Sequence, residues 1–249
     1  MLATWNRFQT RYGVADADET DVTRILEAVS ADLARYAGRV SGGVPCFEKA
    51  SRVHAFSIRR PGEAHLWLPA WPVVAIAEAV EALWNEWSGA TALAEDDDFT
   101  LDYGSGRLTR VGAWLSGHPS LRVTYTAGYT GPDVFDEEGY VPDAWASGTA
   151  YDEDDQVLYD SCVWTAAGDI ASSTTPPPAD PDNWTRADVL LPADVIEACL
   201  VQAGFQWQRR SRLGRSGESS RGGSVSHEAR DELLPGVRTV MDRYRRLLA

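Results

Sequence analysis

The clearest helical pattern of the chain lies near its amino end. Apolar residues recur at spacings of three and four over 18–37, which places them on one face of a helix. Acidic side chains stand at its start and Gly38 follows its end, as in many helices. A second helix is predicted over 192–211, with Pro192 in its first turn. Its apolar stripe consists of Val195, Ile196, Cys199, Leu200, Ala203 and Trp207.

The region 44–125 is predicted to be β-rich, because short apolar segments alternate there with turn residues. The composition of 102–106 is typical of a hairpin turn. Over 75–87 the Ala and Glu content favours a helix, whereas the strands around it favour a strand, and we predict a strand. The predicted strands are 52–58, 65–68, 73–76, 99–101, 107–111 and 121–125.

The carboxyl-terminal part of the chain changes in composition. Gly and Ser dominate 214–226, which predicts a flexible linker, and Pro235 then opens a short amphipathic helix within 227–249. Because a helix at the end of a loose linker gains little by packing on its own chain, we predict an arm that docks on another molecule. Its candidate docking residues are Val237, Arg238, Met241, Arg243, Tyr244, Arg245 and Arg246.

The segment 143–186 differs from both of its flanks. It lacks a helical period and holds three of the ten tryptophans, which predicts a small β module inserted ahead of the helix at 192. Exposed Trp and Tyr rings can stack on sugars, but a small module also needs large rings for its own core. All four of its candidate carbohydrate-binding residues are aromatic. We predict a core position for Trp145 and Trp184, and exposure for Trp164 and Tyr151.

The composition is that of a soluble globular protein, with 44% hydrophobic and 24% charged residues among 249. No run of eighteen apolar residues occurs, so no membrane span is expected. The amino end lacks the pattern of a secretion signal. Cys46, Cys162 and Cys199 are therefore predicted to be reduced, mostly buried thiols of a protein made in a cytoplasm.

The net charge of −14 is unevenly distributed. Thirteen acidic residues and no base lie between Arg122 and Arg186, whereas ten arginines and five acids follow from Trp207 onward. Acidic surface repels phosphate, which disfavours duplex-DNA binding by the middle of the chain but not by the arm. Because Arg pairs well with carboxylates, an Arg-rich arm beside acidic segments suggests ion pairs between subunits or with another protein.

The sequence contains no catalytic constellation. His54, His65, His118 and His227 lack the spacing of a zinc site, and no phosphate loop or nucleophile elbow occurs. The acidic runs at 95–98 and 152–155 lack the spaced ligands of a calcium loop and predict solvated charge. We predict no enzyme activity, no cofactor and no metal.

An ordered set of motifs occupies both ends of the chain. It includes Leu-Arg-Val-Thr-Tyr-Thr-Ala-Gly-Tyr at 121–129, Leu-Pro-Ala-Asp at 191–194 and Leu-Leu-Pro-Gly-Val-Arg at 233–238. This order, with the helix at 21–30 and the segments at 66–74 and 99–108, resembles the head–tail connector (adaptor) proteins of tailed phages and prophages. The resemblance implies an α+β fold. A helical adaptor core with a β-rich portion would comprise 1–142 and 187–249, and 143–186 would be an inserted small all-β module.

The resemblance also implies a function. Members of that family form a homo-oligomeric ring, a dodecamer, beneath the portal protein and extend the DNA channel toward the stopper or tail-completion protein and the tail. It therefore implies a structural protein of the virion neck, assembled in the host cytoplasm, through which genomic DNA passes without specific binding. In such a ring the acidic stretch would line the channel or face outward, and both placements stay open.

The segment 143–186 is similar to the small carbohydrate-binding modules of chitinases, through Trp145, Tyr151, Tyr159, Trp164 and Trp184. It departs from them at Asp155, where a Gly is usual, and at 160–161, where Asp-Ser replaces Asn-Gly. The module fold can be kept without sugar binding. The alternative function is therefore a protein that attaches to a cell-surface glycan, and a third is DNA binding through the arm.

Overall fold

A computed structural model describes residues 1–41, 44–45, 47–59, 62–82, 86–131, 142–210, 217–220, 223–226 and 233–245. The chain folds into two compact units. The helical unit comprises Met1–Gly38, Gly131–Asp133 and Leu191–Ala249, and the β unit comprises Arg39–Thr130 and Val134–Leu190. Helices and strands are both abundant, which confirms the α+β class.

The helical unit is built around one central helix. Its helices are α1 (Trp5–Tyr12), α2 (Glu19–Tyr36), α3 (Ala193–Arg209) and α4 (Pro235–Asp242). All three others pack on α3, so its buried side chains lie on several sides. The predicted face of α2 is confirmed, since Val22, Leu26, Val29 and Leu33 are fully buried. The helix α1 escaped prediction because Phe8 is its one buried side chain.

The strands before residue 130 form two facing sheets around one core. In chain order they are β1 (Val40–Ser41), β2 (Val44–Pro45), β3 (Ala50–Ile58), β4 (His65–Trp67), β5 (Val73–Glu81), β6 (Thr91–Ala92), β7 (Phe99–Asp102), β8 (Arg107–Arg110) and β9 (Gly117–Ala127). One sheet has the order β3-β9-β5-β6 and the other β4-β8-β7, while β1 pairs with β2. Leu68, Phe99, Leu108 and Leu121 are among the side chains buried in this core.

Two local predictions are confirmed in this part of the chain. The ambiguous stretch 75–87 is strand as far as Glu81, because β5 pairs with β9 along nearly its whole length. Its last residue, Trp87, instead begins a short 3-10 helix (Trp87–Gly89), and 83–85 lie outside the described residues. The predicted hairpin turn joins β7 to β8. Asp102 closes it by accepting hydrogen bonds from the backbone N–H groups of Gly104 (3.1 Å) and Ser105 (3.3 Å). The hydroxyl of Ser105 also donates to this carboxylate, which lowers the pKa of Asp102.

The segment that we predicted to be an inserted β module contains six strands and one short 3-10 helix (Pro177–Ala179). Its strands are β10 (Asp143–Ala144), β11 (Thr149–Tyr151), β12 (Gln156–Tyr159), β13 (Cys162–Ala166), β14 (Ile170–Ser173) and β15 (Trp184–Val189). One sheet has the order β10-β12-β13-β15, and β11 pairs with β14. The boundary proposed at 186 falls inside β15, whose pairing with β13 extends from Trp184 to Val189. We therefore extend the module to Val189.

The module shares its core with β5. Val73 is buried in the core between the two facing sheets, whereas the next residue, Val74, is buried among Val157, Trp164 and Trp184 of the module. A bulge in the pairing of β5 with β9 lies between Val73 and Ala75, so Val74 is the extra residue there. Excision of 143–186 would therefore expose the side chain of Val74 to solvent.

Within 214–226, which we predicted to be a flexible linker, the structure has a short antiparallel pair of strands. They are β16 (Gly217–Ser220) and β17 (Gly223–Ser226). Among the residues given above, no helix combines the length and the apolar character needed to cross a membrane.

Two of the three cysteines are free and buried, as predicted, and Cys46 lies outside the described residues. Burial raises the pKa of the Cys199 thiol to about 11, and the hydroxyl of Ser30 lies 3.6 Å from its sulfur. We expect Cys199 to resist a maleimide at pH 8 in the folded chain, because only about a thousandth of such a thiol is ionised there. Mass spectrometry of peptides labelled before and after denaturation measures this. Labelling of Cys199 at equal rates in both states would contradict it.

Candidate functional site

Two of the three tryptophan rings of the module are closed to solvent. Trp184 is 2% exposed, which confirms its predicted core position, and its ring meets that of Tyr151 edge-on at 5.1 Å. The prediction that Trp164 is exposed is wrong, since 8% of it is accessible. It lies on β13, which has β12 on one side and β15 on the other, and the guanidinium of Arg186 lies 5.2 Å from its ring centroid.

The other two candidate rings are half-buried, which contradicts the exposure that we predicted for Tyr151. The indole N–H of Trp145 donates to the hydroxyl of Ser173 (3.0 Å), and its ring packs edge-on against Tyr159. The hydroxyl of Tyr151 accepts a hydrogen bond from the backbone N–H of Ala146 (2.9 Å). The four rings therefore pack the module and orient one another, and they form no flat open platform of the kind that stacks on a sugar.

Seven acidic residues lie in segments at one end of the module. The register pairs Tyr159 with Cys162 and Cys162 with Val189 at one end of its sheet, and Ala166 with Trp184 at the other. The segments that precede β12, follow β13 and precede β15 therefore share this second end. We call the acidic residues of these segments the acidic tip. They are Asp152, Glu153, Asp154, Asp155, Asp169, Asp180 and Asp182.

The acidic tip is held by backbone hydrogen bonds rather than by cations. The N–H of Glu153 donates to Asp169 (3.0 Å), and that of Asp152 donates to Asp155 (2.8 Å). Within the described residues no Lys or Arg forms an ion pair with these seven carboxylates. In the same part of the chain, no group of His, Cys, Asp and Glu side chains is placed to hold a metal ion.

Lys49 and Arg186 fix the module to the rest of the β unit. Lys49, the single lysine of the chain, donates to Asp188 (2.5 Å) and to the backbone carbonyl of Ala187 (2.9 Å). Thr130 also donates to Asp188. The guanidinium of Arg186 stacks over Tyr103 (5.0 Å). Burial raises the pKa of the Tyr103 hydroxyl, and the neighbouring Glu95 raises it further.

The terminal helix α4 is anchored on its own chain. Val237 is 3% exposed and Met241 is fully buried against the helical unit. The buried amide of Gln202 accepts a hydrogen bond from the N–H of Leu234 (3.0 Å), just ahead of α4. Our prediction that this helix gains little from its own chain is therefore wrong. The apolar faces of α3 and α4 are complementary, but the sequence that joins the two helices does not reveal this.

Polar side chains fix the two ends of this contact. The hydroxyl of Tyr244 donates to Asp194 (2.6 Å), at the start of α3. The hydroxyl of Tyr36 donates to Asp242 (2.9 Å), which joins the end of α2 to the end of α4. Val237, Met241 and Tyr244 are thus engaged within the chain.

Two exposed arginines, Arg243 and Arg245, directly follow the last residue of α4, and we call this pair the basic face of α4. The side chain of Arg243 is 65% exposed, and its guanidinium lies 3.4 Å from Asp194. Arg245 is exposed, with its guanidinium 5.7 Å from the ring centroid of Tyr36. Arg238 is half-buried, and Arg246 lies outside the described residues. Of the candidate docking residues that the structure describes, Arg243 and Arg245 are thus the two that are most accessible to a partner.

Shortening Met241 to alanine tests the anchoring of α4. We expect a loss of about 2–3 kcal/mol in the free energy of unfolding of the helical unit, because the cavity cannot fully collapse. Thr239→Ala, an exposed position of the same helix, is the matched control and should change the stability by less than about 0.5 kcal/mol. Urea denaturation followed by circular dichroism measures both. Equal stabilities of the two variants would show that α4 does not pack as described.

The structure contains a buried arginine that the sequence does not predict. Arg39 is 1% exposed, and its guanidinium lies among three rings, 4.1 Å from the centroid of Trp71, 4.6 Å from Phe47 and 5.2 Å from Tyr129. It also donates to the backbone carbonyl of Trp71. No spacing marks this cluster, because its rings come from three separate segments. It holds together the first residues of the β unit.

Comparison with known proteins gives structural neighbours but no sequence family. No family model matches the sequence, and no curated protein matches it. The chain is similar to a chain in the neck of an empty gene transfer agent particle computed with C6 symmetry, at 16% identity and a TM-score of 0.48, covering 98% of this chain and 89% of that one.

Two further solved structures are similar. For the neck of the native particle computed with C12 symmetry, the identity is 15%, the TM-score is 0.45 and the coverage is 94% of this chain and 86% of that one. For the virion of the native gene transfer agent particle, the identity is 17%, the TM-score is 0.47 and the coverage is 98% and 89%. The structural neighbours of this chain are thus neck and virion proteins.

Proposed function

We propose that the chain is a structural protein of a phage-type virion neck. In this proposal, identical copies form a ring beneath the portal protein, extend the DNA channel and meet a stopper or tail-completion protein on the other side. The observation that carries the proposal is the ordered set of motifs at both ends of the chain. Three motifs of that set lie in one unit: 21–30 lies within α2, 191–194 spans the start of α3, and 233–238 spans the start of α4.

The electrostatics support a passive role toward DNA. The long acidic stretch between Arg122 and Arg186 repels phosphate, so DNA in contact with it would slide rather than bind. A ring whose copies carry this surface lets a polyanion pass without holding it. DNA would slide in this way past every copy whose acidic stretch faces the channel.

The accessible arginines support docking on a protein partner. With Val237 and Met241 buried, the basic face of α4 is a part of the arm that a portal or a neighbouring copy can reach. Exposed guanidinium groups match carboxylates with two parallel hydrogen bonds. The alternative, attachment to a glycan, has less support, because Trp164 and Trp184 are closed to solvent.

Particles assembled without this chain test the proposal. Without the chain, we expect heads that package DNA but do not join to tails. We expect the wild-type chain supplied in trans to restore joined particles. Electron microscopy of the particles counts both forms, and imaging of the restored neck should show density for this chain around the channel. Normal joined particles in the absence of the chain, or its absence from purified particles, would overturn the proposal.

A further inference from the structure

We infer that the basic face of α4 in one copy of this chain binds the acidic tip of the module in a second copy. The inference rests on the proposed ring and names the contact between its neighbouring copies. The feature that suits a partner is the exposed pair Arg243 and Arg245, directly after the helix that Val237 and Met241 anchor.

The arginines of this face have donors to spare. Arg243 approaches one carboxylate, that of Asp194, and a guanidinium has five N–H donors. Arg245 lies over the ring of Tyr36, and a guanidinium that stacks on a ring keeps the N–H groups at its edge for acceptors. Both side chains can therefore bind a further carboxylate without giving up the contacts that anchor α4.

Charge complementarity selects the occupant. The acidic tip presents seven carboxylates without an ion pair to Lys or Arg in the described part of the chain, so bringing cations near them relieves their mutual repulsion. DNA has the same sign as the tip and competes only for the basic face. A second copy supplies both surfaces at once.

Symmetry favours the contact between copies. When a surface of one copy binds a different surface of the next, the contact is head-to-tail, and repeated copies close into a ring if the rotation allows it. Exposed ion pairs are individually weak and are screened by salt. The association of copies should therefore depend steeply on salt. The charges should also determine which surfaces of two neighbouring copies meet.

Charge reversal of each surface tests the inference in the full chain. The tip variant carries Glu153→Lys and Asp182→Lys, whose side chains are exposed. The face variant carries Arg243→Glu and Arg245→Glu. Native mass spectrometry and mass photometry at about 50 mM and about 500 mM salt measure the concentration at which half of the copies are associated. Melting temperatures verify that each variant is folded.

We expect each variant alone to need at least about a tenfold higher concentration to associate than the wild-type chain at low salt. An equimolar mixture of the two should recover association, because each reversed surface then meets its complement on the other variant. A chain with all four substitutions should recover as well. Asp143→Lys and Arg24→Glu, exposed positions outside both surfaces, are the matched controls and should associate like wild type.

Three results would overturn the inference. The first is association of both variants at the wild-type concentration. The second is recovery by the four-substitution chain but not by the mixture, which would place the contact within one copy. The third is a wild-type chain that remains monomeric at low salt over the whole concentration range. Unchanged association of the variants together with normal joined particles would reject this contact and leave the neck function standing.

Discussion

Replacing Gly128 with alanine is expected to unfold the β unit under conditions in which the wild-type chain is folded. Gly128 has a φ of +114°, which residues with a side chain rarely adopt. A Cβ atom there would lie 2.3 Å from the carbonyl oxygen of Glu48 and 2.8 Å from the nitrogen of Lys49. We expect a loss of about 4–5 kcal/mol in the free energy of unfolding, in the range of the most damaging single substitutions.

The backbone at this point cannot move aside. Lys49 donates to the carbonyl of Tyr129 (2.9 Å), Tyr129 donates to the carbonyl of Phe47 (2.7 Å), and Gly128 itself donates to that of Pro72 (2.9 Å). Relief of the clash would break these hydrogen bonds beside the buried Arg39 cluster.

Gly148→Ala is the matched control, because Gly148 has a φ of +83° and nothing within 4 Å of a Cβ atom. It isolates the cost of the backbone conformation, about 1 kcal/mol. Urea denaturation followed by tryptophan fluorescence and near-ultraviolet circular dichroism compares the two variants. Similar midpoints would show that the two chain segments are not in close contact at Gly128.

Replacing Arg39 with alanine should also destabilise the β unit strongly. The change removes the cation from the faces of Phe47, Trp71 and Tyr129, removes the hydrogen bond to the carbonyl of Trp71, and leaves a cavity between the rings. Cation–π contacts and hydrogen bonds of a charged donor are strongest where water is excluded. We expect a loss of about 3–4 kcal/mol in the free energy of unfolding.

Arg122→Ala provides the comparison for a more exposed cation. The guanidinium of Arg122 lies 4.9 Å from the ring centroid of Trp87 and pairs with Glu78, and both charged side chains are partly exposed. Its loss should cost about 1 kcal/mol or less. Arg39→Lys should fall between Arg39→Ala and wild type, because it keeps the charge without the planar stack. Equal effects of Arg39→Ala and Arg122→Ala on urea denaturation would contradict the described burial of Arg39.

The elements of the fold were predictable where the periodicity is strong. The apolar face of α2 is confirmed, because Val22, Leu26, Val29 and Leu33 recur at helical spacing and one side of that helix is buried. The residues from Ala75 to Glu81 form a strand, because pairing with β9 outweighs the helical preference of Ala and Glu. The helix α1 was missed because its sequence is mostly polar and it packs mainly through Phe8.

The candidate site was predictable in composition but not in exposure. The sequence shows that the module is rich in aromatic rings, but which ring is buried depends on strand order, and β13 proved to be an inner strand. For α4, the sequence shows an amphipathic helix. It does not show that this helix packs on the apolar face of α3 or that Gln202 accepts a hydrogen bond just ahead of it. The Arg39 cluster depends on contacts between distant segments, which no local pattern contains.

The placement of Val73 and Val74 in two different cores bears on how such a chain evolves. An ancestor that lacked the module would have presented the side chain at position 74 to water, where a polar residue serves better than valine. Gain of the module and the change at position 74 therefore depend on each other. Descendants that lose the module should carry a polar substitution at this position, and transplanting the module into a relative requires a valine-sized residue there.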